Sequence, residues 1–180
     1  MTAIKTIGIL GAGQLGRMIA VAAAQMGIRA HIFAPDAKDS PAAEVAKTFT
    51  QANYDDADAL AAFGRSIDAV TSEFENVPGT TMDILAAFCP VSPGHDALHL
   101  AQNRLREKTL ASRLGIKTPS FWAIRSTDDL ASALSDLKGK GVLKTTEQGY
   151  DGKGQLRVAS GDNAASYWGD MNTKIGRAHV

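Results

Sequence analysis

Apolar positions in the first hundred residues fall into short continuous runs separated by stretches of helical period. Ile4 to Leu10 has the pattern of a buried strand and passes directly into Gly11-Ala12-Gly13-Gln14-Leu15-Gly16. The spacing of Leu15, Met18, Ile19, Ala22 and Met26 predicts a helix with that stripe toward the core, ending at Gly27. Strand patterns recur at Ile28–Phe33, Lys47–Thr50 and Asp68–Thr71, with Cys89–Pro93 as a last, proline-bounded one. Helices are expected between them at Ser40–Val45, Asp56–Phe63 and Thr80–Phe88. Strands and helices alternating at this interval predict an α/β fold: a Rossmann-like parallel sheet with helices on both faces.

The sheet pattern ends near residue 100. Asn103–Leu114 reads as a polar helix stopped by Gly115, followed by an aromatic strand through Phe121, Trp122 and Ile124. A further helix is expected from Ser126 to Leu137, with Ser126 and Asp129 spaced as in a capping box. Gly141-Val142-Leu143-Lys144 is a short apolar strand ending in a lysine. Beyond it lies Gly149-Tyr150-Asp151-Gly152-Lys153-Gly154-Gln155. A stretch so poor in side chains can wrap an anion with its backbone N–H groups, and Lys153 adds a mobile positive charge. Strand, lysine and glycine-rich loop thus form a candidate phosphate clamp. It is no Walker loop, because no Gly-Lys-Ser/Thr opens a helix there. A solvated surface hairpin is the alternative.

Composition narrows the classes. Nineteen Lys and Arg balance nineteen Asp and Glu, with no basic tract, so nothing draws the chain to a nucleic-acid backbone. No apolar run approaches the length of a membrane span. The single Cys89 has no internal disulfide partner, and with no charged-then-apolar leader a reduced, cytoplasmic setting is expected. A chain of 180 residues suffices for one medium domain or two small ones.

Several residues carry candidate chemistry. The Gly11–Gly16 turn between strand and helix, with Asp36 about twenty positions on, has the dinucleotide-binding spacing. Two other readings stand beside it: a turn built only for tight packing, and a site for a different phosphate-bearing ligand. Asp36 follows a proline, which leaves its direction open. Glu73 and Glu75 share a face if the chain stays extended after the fourth strand, and would place two carboxylates where such sheets bind ligands. A solvated acidic loop is the alternative. His95 and His99 are spaced as metal ligands on a helix can be, but no third ligand accompanies them in a recognised spacing, so a solvated helix face is expected. His31 falls within a strand and is expected to be packed. Arg104 is either a phosphate ligand or one more charge on a polar helix.

Taken in order, these segments resemble the N5-carboxyaminoimidazole ribonucleotide synthase family of ATP-grasp ligases. The resemblance is carried by Gly11–Met18, Ser40-Pro41-Ala42, Glu73-Phe74-Glu75-Asn76-Val77-Pro78 and Gln102–Lys108. It continues through Leu114-Gly115-Ile116, Leu143-Lys144-Thr145 and Gly149–Gln155. It implies a pre-ATP-grasp domain over 1–102 and an incomplete ATP-grasp module over 103–174. The implied reaction joins bicarbonate to the amine of 5-aminoimidazole ribonucleotide, using ATP and Mg2+. By matching position, Arg104, Lys144 and the loop Gly149, Tyr150, Asp151, Gly152, Lys153, Gly154 and Gln155 would hold ATP. Gly13, Gln14, Leu15, Glu73, Tyr150 and Asp151 would contact the ribonucleotide. The family's metal carboxylates lie in a later part of its sequence, and full-length members are usually homodimers. Alternatives are a sister ATP-grasp enzyme such as formate-dependent glycinamide ribonucleotide transformylase, a non-catalytic nucleotide-binding relative, and an NAD-dependent oxidoreductase. Glu147 departs from the family, which often carries a basic residue between strand and loop. Ile175–Val180 matches one translated frame of a common sequencing adapter, so 175–180 is expected to be a non-native tail and the 180-residue chain to be inactive.

Overall fold

The computed structural model describes residues 4–147, 154–172 and 178–179, and the chain divides into two compact units, Met1–His99 and Leu100–Val180. The first is a parallel sheet of β1 (Thr6–Leu10), β2 (Arg29–Ala34), β3 (Thr48–Gln51) and β4 (Ala69–Ser72) in the order β3-β2-β1-β4. In register, Ile9 of β1 lies beside Ile32 and Leu10 beside Phe33, while Leu10 also pairs with Ser72 on β1's other edge. The order reverses at β1. Strand 1 lies in the middle, so the connections after β1 and β4 diverge and leave a crevice at their carboxyl ends.

Each face of this sheet has its own core. Leu10, Phe33, Leu60, Phe63, Met82 and Leu85 pack on one side with α2 (Ala57–Arg65) and α3 (Gly79–Ala86). Ile9, Ile32 and Ala20 pack on the other, under α1 (Gln14–Gln25). Each fully buried Leu, Ile or Phe contributes about 1.5–3 kcal/mol. Asp56 caps α2 by accepting from the Ala59 N–H at 3.0 Å.

Three sequence expectations change here. The helix after the glycine turn forms, but it buries Gly16, Ala20 and Ala23, while Leu15, Met18 and Met26 are 59%, 65% and 70% exposed. Close approach decides this: a Cβ at Gly16 would lie 2.9 Å from the Gly11 carbonyl oxygen, and only small residues fit along that face. Ser40–Val45 is a set of turns rather than a helix, with Ser40 Oγ donating to the Ala37 carbonyl at 2.6 Å. One turn flanked by irregular chain does not offset the cost of helix nucleation. Cys89–Pro93 contributes a single parallel bridge, Val70 to Val91, because Pro90 and Pro93 have no N–H to give a ladder.

Helix α4 (His95–Ala101) is followed in the second unit by α5 (Arg104–Arg113), whose cap Asn103 accepts the N–H groups of Leu105 and Arg106, both at 3.1 Å. Its sheet holds β5 (Ala123–Ile124), β6 (Lys140–Thr145), β7 (Gln155–Ala159) and β8 (Ala178–His179), antiparallel in the order β5-β8-β6-β7. The aromatic strand expected from Phe121 is reduced to Ala123–Ile124. Ser126 caps α6 (Thr127–Asp136), while Asp129 accepts the Arg125 N–H at 2.8 Å, close to the capping-box reading. Ile124, Leu130, Leu134, Leu143 and Val158 form the core beneath α6 and α7 (Ala164–Asn172). Strand β7 and helix α7 lie past the last element legible in the sequence. No helix among the described residues is long and apolar enough to cross a membrane.

Candidate functional site

In the first unit, the carboxyl ends of β1 and β4 open onto a cleft of about 390 Å³. Its floor is the turn Gly11–Gly13, and Pro35, Asp36, Tyr54, Glu73 and Phe74 make its walls. Gly11 donates its N–H to the Phe33 carbonyl at 3.0 Å and takes φ +115°, a conformation side chains seldom allow. A Cβ at Gly11 would overlap Glu73 Oε2, and one at Gly13 would lie 3.1 Å from Oε1. The Glu73 carboxylate therefore rests directly on the turn.

The backbone delivers Glu73 to that position. Both Glu73 and Phe74 donate their N–H groups to the Leu10 carbonyl, at 2.9 and 3.2 Å, and Ser72 Oγ donates to the Phe74 carbonyl at 2.7 Å. The chain bends here instead of staying extended. Phe74 consequently lines the same cleft as Glu73, and Glu75 does not. The second carboxylate of the cleft is Asp36, so the proline before it does not turn it away. Burial pushes the Glu73 carboxyl above its ordinary value, opposed by the Gly13 N–H; Asp36 pushes it further up, and the Gly16 N–H pulls it back. Burial first, then Asp36 and Glu73, raise the Tyr54 phenol, which stays a neutral donor at physiological pH. The Tyr54 ring stacks on Phe74 with centroids 6.1 Å apart at 20°. Tyr54 belongs to no local motif, and Phe74 falls within the Glu73–Pro78 motif without a role of its own there; a position just beyond a strand end is the sequence signal the two share.

The second unit presents a cavity of about 640 Å³ lined by Lys108, Lys138, Lys140, Lys144, Trp122 and Asp136, among others. Alternation along β6 explains the lysines: Lys140, Val142 and Lys144 lie on one face, while Leu143 and Thr145 are buried on the other. Lys108 Nζ stands 5.1 Å over the Phe121 ring. The backbone N–H of Arg104 donates to the Thr146 carbonyl at 2.9 Å, which ties the start of α5 to the end of β6 and brings Arg104 near Lys144 along the chain path. Glu147 accepts from Asn103 Nδ2 at 2.7 Å and from Arg106 Nη2 at 3.1 Å. That pairing resolves the direction of this unexpected acid.

Gly154 and Gln155 begin the return strand: Gln155 pairs with Lys144, and the Gly154 carbonyl accepts the Thr145 N–H at 2.9 Å. Strands β6 and β7 thus pair antiparallel on the two sides of the glycine-rich stretch. Gly149, Tyr150, Asp151, Gly152 and Lys153 lie outside the described residues. Gln14 and Leu15 stand exposed at the start of α1, beside the turn. His95 pairs with Asp83 at 2.8 Å, its ring 5.9 Å from that of His99. Among the described residues no cluster of three or more His, Cys, Asp or Glu could hold a metal.

Residues 4–102 match the family model of the ribonucleotide synthetase pre-ATP-grasp domain. The chain belongs to this family. The pre-ATP-grasp domain is followed by a match to the ATP-grasp domain over residues 109–177. The N5-carboxyaminoimidazole ribonucleotide synthase of Brucella melitensis is 46% identical over 158 residues, 88% of this chain and 43% of that protein. An N5-carboxyaminoimidazole ribonucleotide synthetase solved as its ADP complex superposes with a TM-score of 0.88 at 35% identity, covering 99% of this chain and 48% of that one. The Staphylococcus aureus synthetase with ADP gives 0.88 at 33% identity, over 97% and 46%. The chain spans less than half the length of each. These pre-ATP-grasp relatives bear out the fold class and the family resemblance read from the motifs.

Proposed function

We propose that this pre-ATP-grasp chain belongs to a carbon–nitrogen ligase that joins bicarbonate to the exocyclic amine of 5-aminoimidazole ribonucleotide, with ATP converted to ADP and phosphate. The observation that carries the reading is the acidic, ring-walled cleft closed by Glu73 on the glycine turn. It suits an amine on a flat heterocycle better than it suits a dinucleotide. Glu73, with Gly13, Gln14 and Leu15, is assigned to the ribonucleotide, together with Tyr150 and Asp151. The lysine-lined face of β6 suits a polyphosphate, so Arg104, Lys144 and the loop Gly149–Gln155 are assigned to ATP. Catalysis of this kind rests on positioning and on neutralising the transferring phosphoryl group. Mg2+ would neutralise phosphate charge, held by residues other than those described here.

The same proposal includes domains at 1–102 and 103–174, a cytoplasmic homodimer for the full-length protein, and a non-native tail at 175–180. Resequencing the source gene decides the last point. The formate-using alternative is not favoured, since the similar proteins named above are synthases of the carboxyaminoimidazole type. The test is phosphate release from ATP and bicarbonate by the full-length gene product, with and without 5-aminoimidazole ribonucleotide. Release that requires the ribonucleotide, and that falls about tenfold or more in Lys144→Ala, is the expected result. A folded, ATP-binding protein that releases no phosphate in response to the ribonucleotide would overturn the assignment.

A further inference from the structure

Helix α1 turns its small residues inward, and its long apolar side chains consequently stand outside. Met18, Val21 and, at the C-cap, Met26 are 65%, 41% and 70% exposed, and Ala22 lies exposed between the two methionines. This face is uncharged. Arg17 is the single ionic residue of the helix, and it is engaged by Glu44 Oε2 and the Pro41 carbonyl. A helix bordering water ordinarily carries charged and polar residues on its outer face, whereas one that is apolar all round is a covered helix. The apolar surface left open is on the order of 400 Å2, the size at which a patch on a monomer marks an interaction site.

We propose that the outer face of α1 is a two-fold surface on which two copies of this chain associate. Charge and spacing both select a second copy as the occupant. A face without charge offers nothing to an acidic or a basic partner, and its complement is another uncharged apolar face. Met18, Ala22 and Met26 follow one another at intervals of four, a large–small–large order that reads the same in both directions. About a two-fold axis beside Ala22, antiparallel copies set alanine against alanine and each Met18 against the partner's Met26. The small alanines admit helix axes about 8–10 Å apart, and the flexible methionines fill the space on either side. Leu15, assigned above to the ribonucleotide, stays outside this surface. On the order of 400 Å2 from each copy is about half of what a partner contributes to a standard stable interface, so the dimer is reversible, half-formed near about 100 µM. The inference rests on the homodimer reading above and deepens it by naming the surface.

The test is sedimentation equilibrium of the 180-residue chain between about 10 and 1,000 µM. The mean mass should climb from one chain toward two, and Met18→Lys should raise the dissociation constant about tenfold or more. Cross-linking gives a second readout that does not depend on that variant. Ala22→Cys should form a disulfide-linked dimer with itself under air oxidation, while Ala24→Cys, exposed on the flank of the helix, should not. Cys89 is buried and does not compete. A single chain throughout the range, a dimer that a folded Met18→Lys leaves unchanged, or equal cross-linking of the two cysteine variants overturns the proposal. The full-length gene product separates the two readings: a full-length monomer overturns both, and a full-length dimer untouched by Met18→Lys overturns this inference alone. Mass and cross-linking are read without ATP, bicarbonate or turnover, so failure of the ligase assay is a separate outcome again.

Discussion

Gly11→Ala probes the point where fold and site meet. Gly11 sits at φ +115°, where a side chain costs about 1–3 kcal/mol of backbone strain. The new methyl group would overlap Glu73 Oε2 and lie 3.1 Å from the Phe74 backbone nitrogen. The carboxylate can swing away, but the Phe74 nitrogen is held by its hydrogen bond to the Leu10 carbonyl. Displacing Glu73 also takes its carboxylate away from Gly13. Because that carboxylate is part exposed, water replaces much of the loss, leaving about 1–2 kcal/mol. The sum is a destabilisation of about 2–5 kcal/mol. Gly27→Ala is the control: it has φ +74° and no atom within 4 Å of its Cβ, so it should cost about 1–2 kcal/mol. Trp122 and Trp168 both lie in the second unit, so tryptophan fluorescence does not follow the first. Hydrogen exchange at the β1 amides under increasing urea gives the needed free energy. Glu73→Ala combined with Gly11→Ala should recover the steric share and leave the backbone strain. A Gly11→Ala cost no larger than that of Gly27→Ala would refute the seating of Glu73 on the turn.

Two further outcomes are expected. His31 is held between Ser66 Oγ at 3.0 Å and Thr50 Oγ1 at 2.9 Å, edge-on to Phe63, and burial lowers its pKa below the usual 6.5. The unfolded chain then binds its proton more readily, so stability present above pH 6.5 is lost as pH falls from there toward the lowered folded value; urea midpoints across that range should decline in wild type and flatten in His31→Gln. Asn103→Ala removes the cap on a helix that buries none of its own residues, together with the bond to Glu147, and should cost about 1 kcal/mol, read as faster amide exchange at Leu105 and Arg106.

Much of this architecture could be read locally. The βαβ unit, the glycine turn and the Ser126 cap depend on residues within a few positions of one another, so pattern alone finds them. Cys89–Pro93 and Ser40–Val45 were harder, because strand or helix there depended on donors and neighbours that a local pattern does not contain. The α1 stripe failed for a related reason. Apolar period identifies a helix, but which face turns inward depends on how near the sheet lies, and at Gly16 that distance admits only small side chains. His31 was legible as a packed residue; its hydroxyl partners Thr50 and Ser66 were not, being brought to it by strand register and by the end of α2.

The sequence by itself determined the strand–helix alternation around β1 and a glycine turn opening α1, since backbone freedom and hydrophobic period are written residue by residue. The tertiary structure alone decided which side chain lies against that turn. Parallel pairing sets the end of β4 beside the end of β1, and a bend after Ser72 carries Glu73 against Gly11 and Gly13. The same pairing joins Asp36, Tyr54 and Phe74 to one cleft. Residues distant in sequence meet there because a sheet aligns the carboxyl ends of its strands, and no spacing rule along the chain records that meeting.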